Sequence, residues 1–116
     1  MKTEIVITNN FQKEAKRFLK KYKSLKSELE ILYQLLINNP QTGIPIGKNS
    51  FKIRISVKSK GRGKSGGLRV ITYLDVNLIF DEQRNKLFLL SIYDKSETET
   101  ITEAEIASII NRIKLI

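Results

Sequence analysis

The hydrophobic period of this chain switches from helical to strand spacing across the Gly- and Pro-bearing segment Gln41–Ser50, and that switch limits the folds open to it. Before the switch, Phe11, Ala15, Phe18, Leu19 and Tyr22 fall at i, i+4, i+7, i+8 and i+11, one apolar stripe on a helix with Asn9-Asn10 as its N-cap. A second stripe, Leu25, Leu29, Leu32 and Leu36, opens at Ser24 or at the Ser27-x-x-Glu30 capping box and stops at Asn38-Asn39-Pro40. Little more than Lys23 separates the two, so they read as a helical hairpin. After the switch, Phe51, Ile53, Ile55 and Val57 alternate with Lys52, Arg54, Ser56 and Lys58, a strand with one apolar and one cationic face. Neither an all-helical nor an all-β chain carries both periods.

The remaining segments complete the order. Glu4–Thr8 is short and β-branched, a strand candidate, whereas Gln41–Ser50 reads as a loop. Ser59–Gly67 reads as a mobile basic loop, because its glycines cannot sustain a strand. Leu68–Val76, extended through Leu78-Ile79-Phe80, is a second strand; Asp81–Lys86 is turn-like; Leu87–Tyr93 is apolar enough to be a central third. Thr102 and Glu105 form a capping box, with Ile101 and Ile106 placed as a hydrophobic staple for a last helix bearing Ile106, Ile109, Ile110 and Ile113. The order β-α-α-β-β-β-α predicts one α+β domain over residues 1–116, an antiparallel sheet carrying the N-terminal helical hairpin and the C-terminal helix on one face.

Composition narrows the chemistry. The 116 residues are 41% hydrophobic, enough for a core, but include no Cys, His or Trp. There is no disulfide frame, thiolate nucleophile, Ser-His-Asp machinery or His- or Cys-ligated metal, so neither metal nor small-molecule cofactor is expected. The early charges of Met1–Asn9 do not suit a signal peptide, and no apolar run is long enough for a membrane span; a soluble, cytoplasmic protein is expected. The net charge of +9 is uneven: residues 1–30 carry +4, residues 31–74 carry +8 with no carboxylate at all, and residues 75–116 carry −3. A solvated face is the plain reading of a charge run, but this concentration favours a polyanionic partner.

Gly61-Arg62-Gly63-Lys64-Ser65 suggests a P-loop and fails as one. The first glycine of that motif would fall at Lys58, and the segment leads into a strand rather than a helix. A glycine-rich basic loop still suits a phosphate backbone, as does a plain hairpin connection. Lys52 and Arg54, two apart on a strand, project from one face. Tyr93 is a candidate stacking or proton-carrying group, and Asp94 with Lys95 a candidate turn pair.

Three segments taken together, Phe51-Lys52-Ile53-Arg54-Ile55, Gly63-Lys64-Ser65-Gly66-Gly67-Leu68-Arg69-Val70-Ile71-Thr72-Tyr73 and Leu89-Leu90-Ser91-Ile92-Tyr93-Asp94-Lys95-Ser96-Glu97, resemble the RelE/HigB branch of the RelE/ParE superfamily of type II toxin–antitoxin toxins. The resemblance implies a ribosome-associated endoribonuclease that cleaves mRNA and is held inactive by a cognate antitoxin, itself acidic or carrying an acidic segment. It assigns Lys52 and Arg54 to backbone binding and charge stabilisation, Arg69 to the scissile phosphate, and Lys95 to the cation after the last strand. The RelE-type tyrosine falls at about Ile101, so Tyr93 takes that role, as in HigB-type members; the histidines of HigB-type sites have no counterpart here. Lys58, Lys60, Arg62, Lys64 and Asp94 are assigned to RNA binding. RNA supplies its own nucleophile: the 2′-OH attacks the adjacent phosphorus and leaves a 2′,3′-cyclic phosphate. The protein neutralises the phosphorane and moves two protons, with Tyr93 or Lys52 as base and Lys95 or Arg69 as acid. The alternatives are a non-catalytic ParE-like toxin acting on DNA gyrase, whose kind lacks the basic, Tyr-bearing sheet face, and a basic RNA-binding module without chemistry.

Overall fold

A computed structural model describes residues 2–60, 67–79, 82–97 and 101–114. Strand β1 (Lys2–Ile7) leads into α1 (Asn9–Lys21) and α2 (Leu25–Asn38). Strands β2 (Ile44–Gly47) and β3 (Ser50–Ile55), a 3₁₀ turn (Lys58–Lys60), β4 (Leu68–Ile79), β5 (Glu82–Asp94) and α3 (Glu103–Lys114) follow. The class is α+β. No helix among the described residues is long and apolar enough to cross a membrane.

Local chemistry sets the helix ends. Thr8, not the Asn9-Asn10 pair, caps α1: its Oγ1 accepts the Phe11 N–H at 3.1 Å and donates to the Leu89 carbonyl at 2.7 Å. Ser24 is the N-cap of α2, but its hydroxyl donates to Glu28 Oε1 at 3.0 Å instead of accepting a helix amide. The capping box of α3 forms as the sequence predicts, Glu105 N–H donating to Thr102 Oγ1 at 3.1 Å and Thr102 Oγ1 donating to Glu105 Oε1 at 3.0 Å.

The sheet order is β1-β5-β4-β3-β2, and it departs from the expected antiparallel sheet in three ways. First, β1 runs parallel to β5, so the sheet is mixed. Two helices and three strands intervene before the chain returns as β5, ample length for a return in either direction. Second, the expected loop 41–50 contains β2, where Ile44 opposes Lys52 and Pro45 opposes Phe51. As the outermost strand, β2 tolerates a proline that donates nothing. Third, β3 ends at Ile55 rather than Lys58, and residues 82–86, expected as turn, pair with β4 from Ile79↔Glu82 onward.

The helices also divide between the faces instead of sharing one. Phe11, Ala15 and Phe18 of α1, with Leu25, Leu29, Leu32 and Leu36 of α2, pack on Ile53, Ile55, Val70, Leu87 and Leu89. On the other face, Ile106, Ile109 and Ile110 of α3 pack on Ile71, Leu90 and Tyr93. Within the first core lies Thr72, fully buried, whose Oγ1 finds no hydrogen-bond partner among the described residues. Thr72→Val keeps the shape and removes that desolvated hydroxyl. It is expected to raise stability by about 1 kcal/mol, read as a higher urea midpoint at unchanged m.

Candidate nucleic-acid interface

A one-residue bulge decides what shares a face with the cations. Ile71 opposes Ser91 while Thr72 opposes Leu89, so Leu90 is the extra residue of β5. It sits where β1 stops, opposite Leu89, and Asn10 of α1 donates to the Leu90 carbonyl at 2.8 Å. Glu14 holds the strand beyond the bulge: its Oε1 accepts from Ser91 Oγ at 2.7 Å and from the Ile92 N–H at 3.3 Å. Leu87 and Leu89 face the helical hairpin, and so does Ile92. Unbroken alternation would have put Tyr93 on the face of Leu89. The bulge turns it to the face of Leu90 and α3 instead.

On that face, Arg54 opposes Arg69 and Arg69 opposes Tyr93, a row across three neighbouring strands. At the usual strand spacing the row spans about 10 Å. Lys52 stands one pleat along β3, opposite Ile71. The structure therefore brings Lys52, Arg54, Arg69 and Tyr93 together. Their accessibility differs: Arg54 is exposed and Lys52 half-buried, whereas Arg69 is 2% and Tyr93 7% exposed. The Arg69 Nη1 donates to the Leu68 carbonyl at 3.3 Å, and the Tyr93 ring packs with Ile106 and Ile109.

The other site candidates lie elsewhere. Asp94, opposite Leu68, faces the helical hairpin, and its Oδ2 accepts from Lys60 Nζ at 2.7 Å. Lys60 also lies over the Tyr22 ring, 5.9 Å from its centroid. The Asp94 Oδ1 accepts the Ser96 N–H at 2.9 Å and the Ser96 hydroxyl at 2.8 Å, which shapes the turn carrying exposed Lys95. Asp94 and Lys60, assigned by sequence to RNA, are thus joined in an enclosed ion pair on the opposite face. Lys58 is exposed, and its backbone N–H donates to Glu28 Oε2 at 2.8 Å. Ser59 N–H donates to Ser24 Oγ at 3.0 Å, so the start of the basic loop is fixed to the first turn of α2. Arg62 and Lys64 lie outside the described residues.

Burial pushes the Asp94 carboxyl upward, but the Lys60 hydrogen bond, the two from Ser96 and the Lys60 charge outweigh it and hold its pKa below the usual value. A carboxyl depressed on folding stabilises the fold above its unfolded pKa of about 3.9, and that contribution fades as pH falls through the lower folded value. Asp94→Asn is therefore expected to lower the melting temperature at pH 7, with the gap to the wild type closing below about pH 4. Parallel melting curves from pH 3 to pH 7 check this; a gap independent of pH overturns it.

Sequence reading overlooked Glu14 and Glu28, whose carboxylates fasten β5 and the basic loop to the helices. For Glu14 the available signal was a lone acid on a Lys-rich helix, placed near the apolar stripe. It also overlooked a cleft between the β2–β3 turn, Tyr73 and α3. Among the described residues, no group of three His, Cys, Asp or Glu side chains is placed to hold a metal ion. No protein-family model matches the chain, and no solved structure matches it.

Proposed function

We propose that this chain is a RelE/HigB-like toxin: a metal-independent endoribonuclease that cleaves mRNA at the ribosome, inhibits translation and is neutralised by a cognate antitoxin. The reading is carried by the row Arg54–Arg69–Tyr93, flanked by Lys52 on the same sheet face. Arg54 and Arg69 lie opposite each other on adjacent strands, and guanidinium groups are suited to holding a phosphate through charge-assisted hydrogen bonds. Donors gathered on one sheet face also suit a phosphorane, whose charge grows as the 2′-OH attacks. Arg69, held by the Leu68 carbonyl, is the rigid member of the pair; Arg54, open to solvent, is the one a strand meets first. Tyr93 closes the row as the proton-carrying group, and Lys95, exposed on the next turn, is available to the leaving oxygen.

A second reading has a specific observation behind it. The burial of Arg69, and of Tyr93 against α3, favours an RNA-binding module that grips backbone through Arg54 and Lys52 without chemistry. Incubating the protein with mRNA, with and without ribosomes, and mapping the ends separates the readings. Discrete cuts ending in 2′,3′-cyclic phosphate, lost in Arg69→Ala, support the nuclease. Intact RNA with tight, salt-sensitive binding supports the module, and intact RNA alongside inhibited DNA gyrase supports a ParE-like action.

A further inference from the structure

We propose that the cleft between the β2–β3 turn, β4 and α3 is a nucleobase pocket, which reads one unstacked base of an RNA strand whose backbone runs along β3. The proposal rests on the RNA reading above and names the part of the site that selects sequence. The cleft has a volume of about 340 Å³ and is lined by Lys48, Asn49, Tyr73, Ala107, Ile110 and Asn111. That set combines the elements used to hold a splayed base: an aromatic ring to stack on, apolar side walls, amides for the base edge and a cation for the phosphate.

Each part has a structural reason to be where it is. Gly47 opposes Ser50 across a two-residue turn in which Lys48 has φ 51° and Asn49 φ 58°. That is the left-handed pair which a tight hairpin demands and which asparagine tolerates well. The Asn49 carbonyl then accepts the Leu74 N–H at 2.9 Å, which fixes the turn against β4 beside Tyr73. Tyr73 leans on Phe88, ring centroids 6.0 Å apart, so the ring is braced from within the sheet. Across the cleft, Asn111 stands on the exposed side of α3, one residue after the buried Ile110. Neither the Asn49 nor the Asn111 side-chain amide holds a hydrogen bond among the described residues. Each presents a donor beside an acceptor, the pattern that pairs with the N6–N7 edge of adenine.

The cleft is also continuous with the cationic row. Arg69, Ile71 and Tyr73 alternate on one face of β4, so Tyr73 lies about 13 Å along the strand from Arg69. Over the same distance β3 presents Arg54 and Lys52 before the turn reaches Lys48. A strand whose phosphates follow Arg54, Lys52 and Lys48 places a base at the cleft a few nucleotides from the row.

Equilibrium binding of short RNA oligomers, uridine throughout except for one varied base, tests the pocket without reference to cleavage. Asn49→Gly/Asn111→Ala removes both amides while keeping the left-handed turn and the helix. The wild type is expected to prefer one base, adenine foremost, by about 10-fold at a single position. The double variant is expected to reduce that preference to less than about 2-fold, with the salt dependence of binding unchanged, because no phosphate contact is lost. Arg54→Ala is expected to do the reverse, lowering the salt slope and keeping the preference. A preference that survives in the double variant overturns the pocket, as does a wild type that binds every oligomer equally. Base-selective binding without cleavage leaves the pocket standing and removes the nuclease. Cleavage whose sequence pattern is unchanged in the double variant removes the pocket and leaves the nuclease.

Discussion

Arg54→Ala is expected to slow RNA cleavage by about 100-fold or more, the usual effect of losing one preorganised donor to a developing oxyanion. The melting temperature is expected to change little, as for most exposed substitutions. Arg54 lies opposite Arg69 across β3 and β4 and is itself exposed, so in the free protein it gives little packing. A residue that adds little to the folded state and serves when a phosphate meets its guanidinium separates stability from activity in this way. For single-stranded RNA the slope of log affinity against log salt is expected to fall by about 0.7, one phosphate contact. Arg54→Lys keeps the charge but loses the planar fork, and is expected to recover binding more fully than rate. Lys58→Ala, exposed and with only its backbone engaged by Glu28, is the comparison: it is expected to change the rate little. Single-turnover cleavage of one oligomer, with melting curves of the same preparations, reads all three. Equal loss of rate in Lys58→Ala and Arg54→Ala overturns the assignment of Arg54 to the row.

The resemblance named the members of the row, and why their alignment was not legible from the sequence is a question of register. Lys52 and Arg54 share a face because two residues on one strand always do, and that much was legible from alternation alone. Their alignment with Arg69 and Tyr93 depends on how three strands slide past one another. In β5 it depends further on one extra residue at Leu90. No local pattern announces that bulge; its cause is tertiary, the end of β1 and the side chains of Asn10 and Glu14 taking over the strand edge. The same bulge sends Asp94 to the opposite face, where it meets Lys60, so one acid-free run of sequence serves two sides of the sheet. The helices and the Thr102 capping box were legible because the helical period and that box are local, although the cap of α1 fell one residue earlier than Asn9-Asn10. The placement of α3 was recoverable from a weaker sign. In β4, Val70 and Leu74 fill one core while Ile71 and Tyr73 join the other, and a strand apolar on both faces must be covered on both. The parallel pairing of β1 left no such mark, since six β-branched and charged residues fit either direction.

Gly67→Ala is expected to be the most damaging small substitution in the described chain. A Cβ on Gly67 would overlap the Ile55 carbonyl oxygen and fall 2.9 Å from its carbon, both backbone atoms. Backbone cannot swing aside as a lysine end can, so either β4 withdraws from β3 or Ile55 is pushed out of the ladder. Ile55 and Leu68 oppose each other as the last pair of β3 and β4, and both side chains belong to the core beneath the helical hairpin. The cost therefore includes steric overlap and the loosening of a buried pair, about 3 kcal/mol together. For a domain of this length that lowers the melting temperature by roughly 10 °C. The effect should also reach the chemistry. Arg69 follows Leu68 and takes its alignment with Arg54 from the same strand pairing, so a shifted β4 start separates the two guanidinium groups. Cleavage should consequently fall even at temperatures where Gly67→Ala remains folded. Thr72→Val supplies the control: combined with Gly67→Ala it is expected to recover part of the lost stability and none of the lost rate. Recovery of both together would mean that the activity loss was only unfolding, and that Gly67 has no part in setting the row.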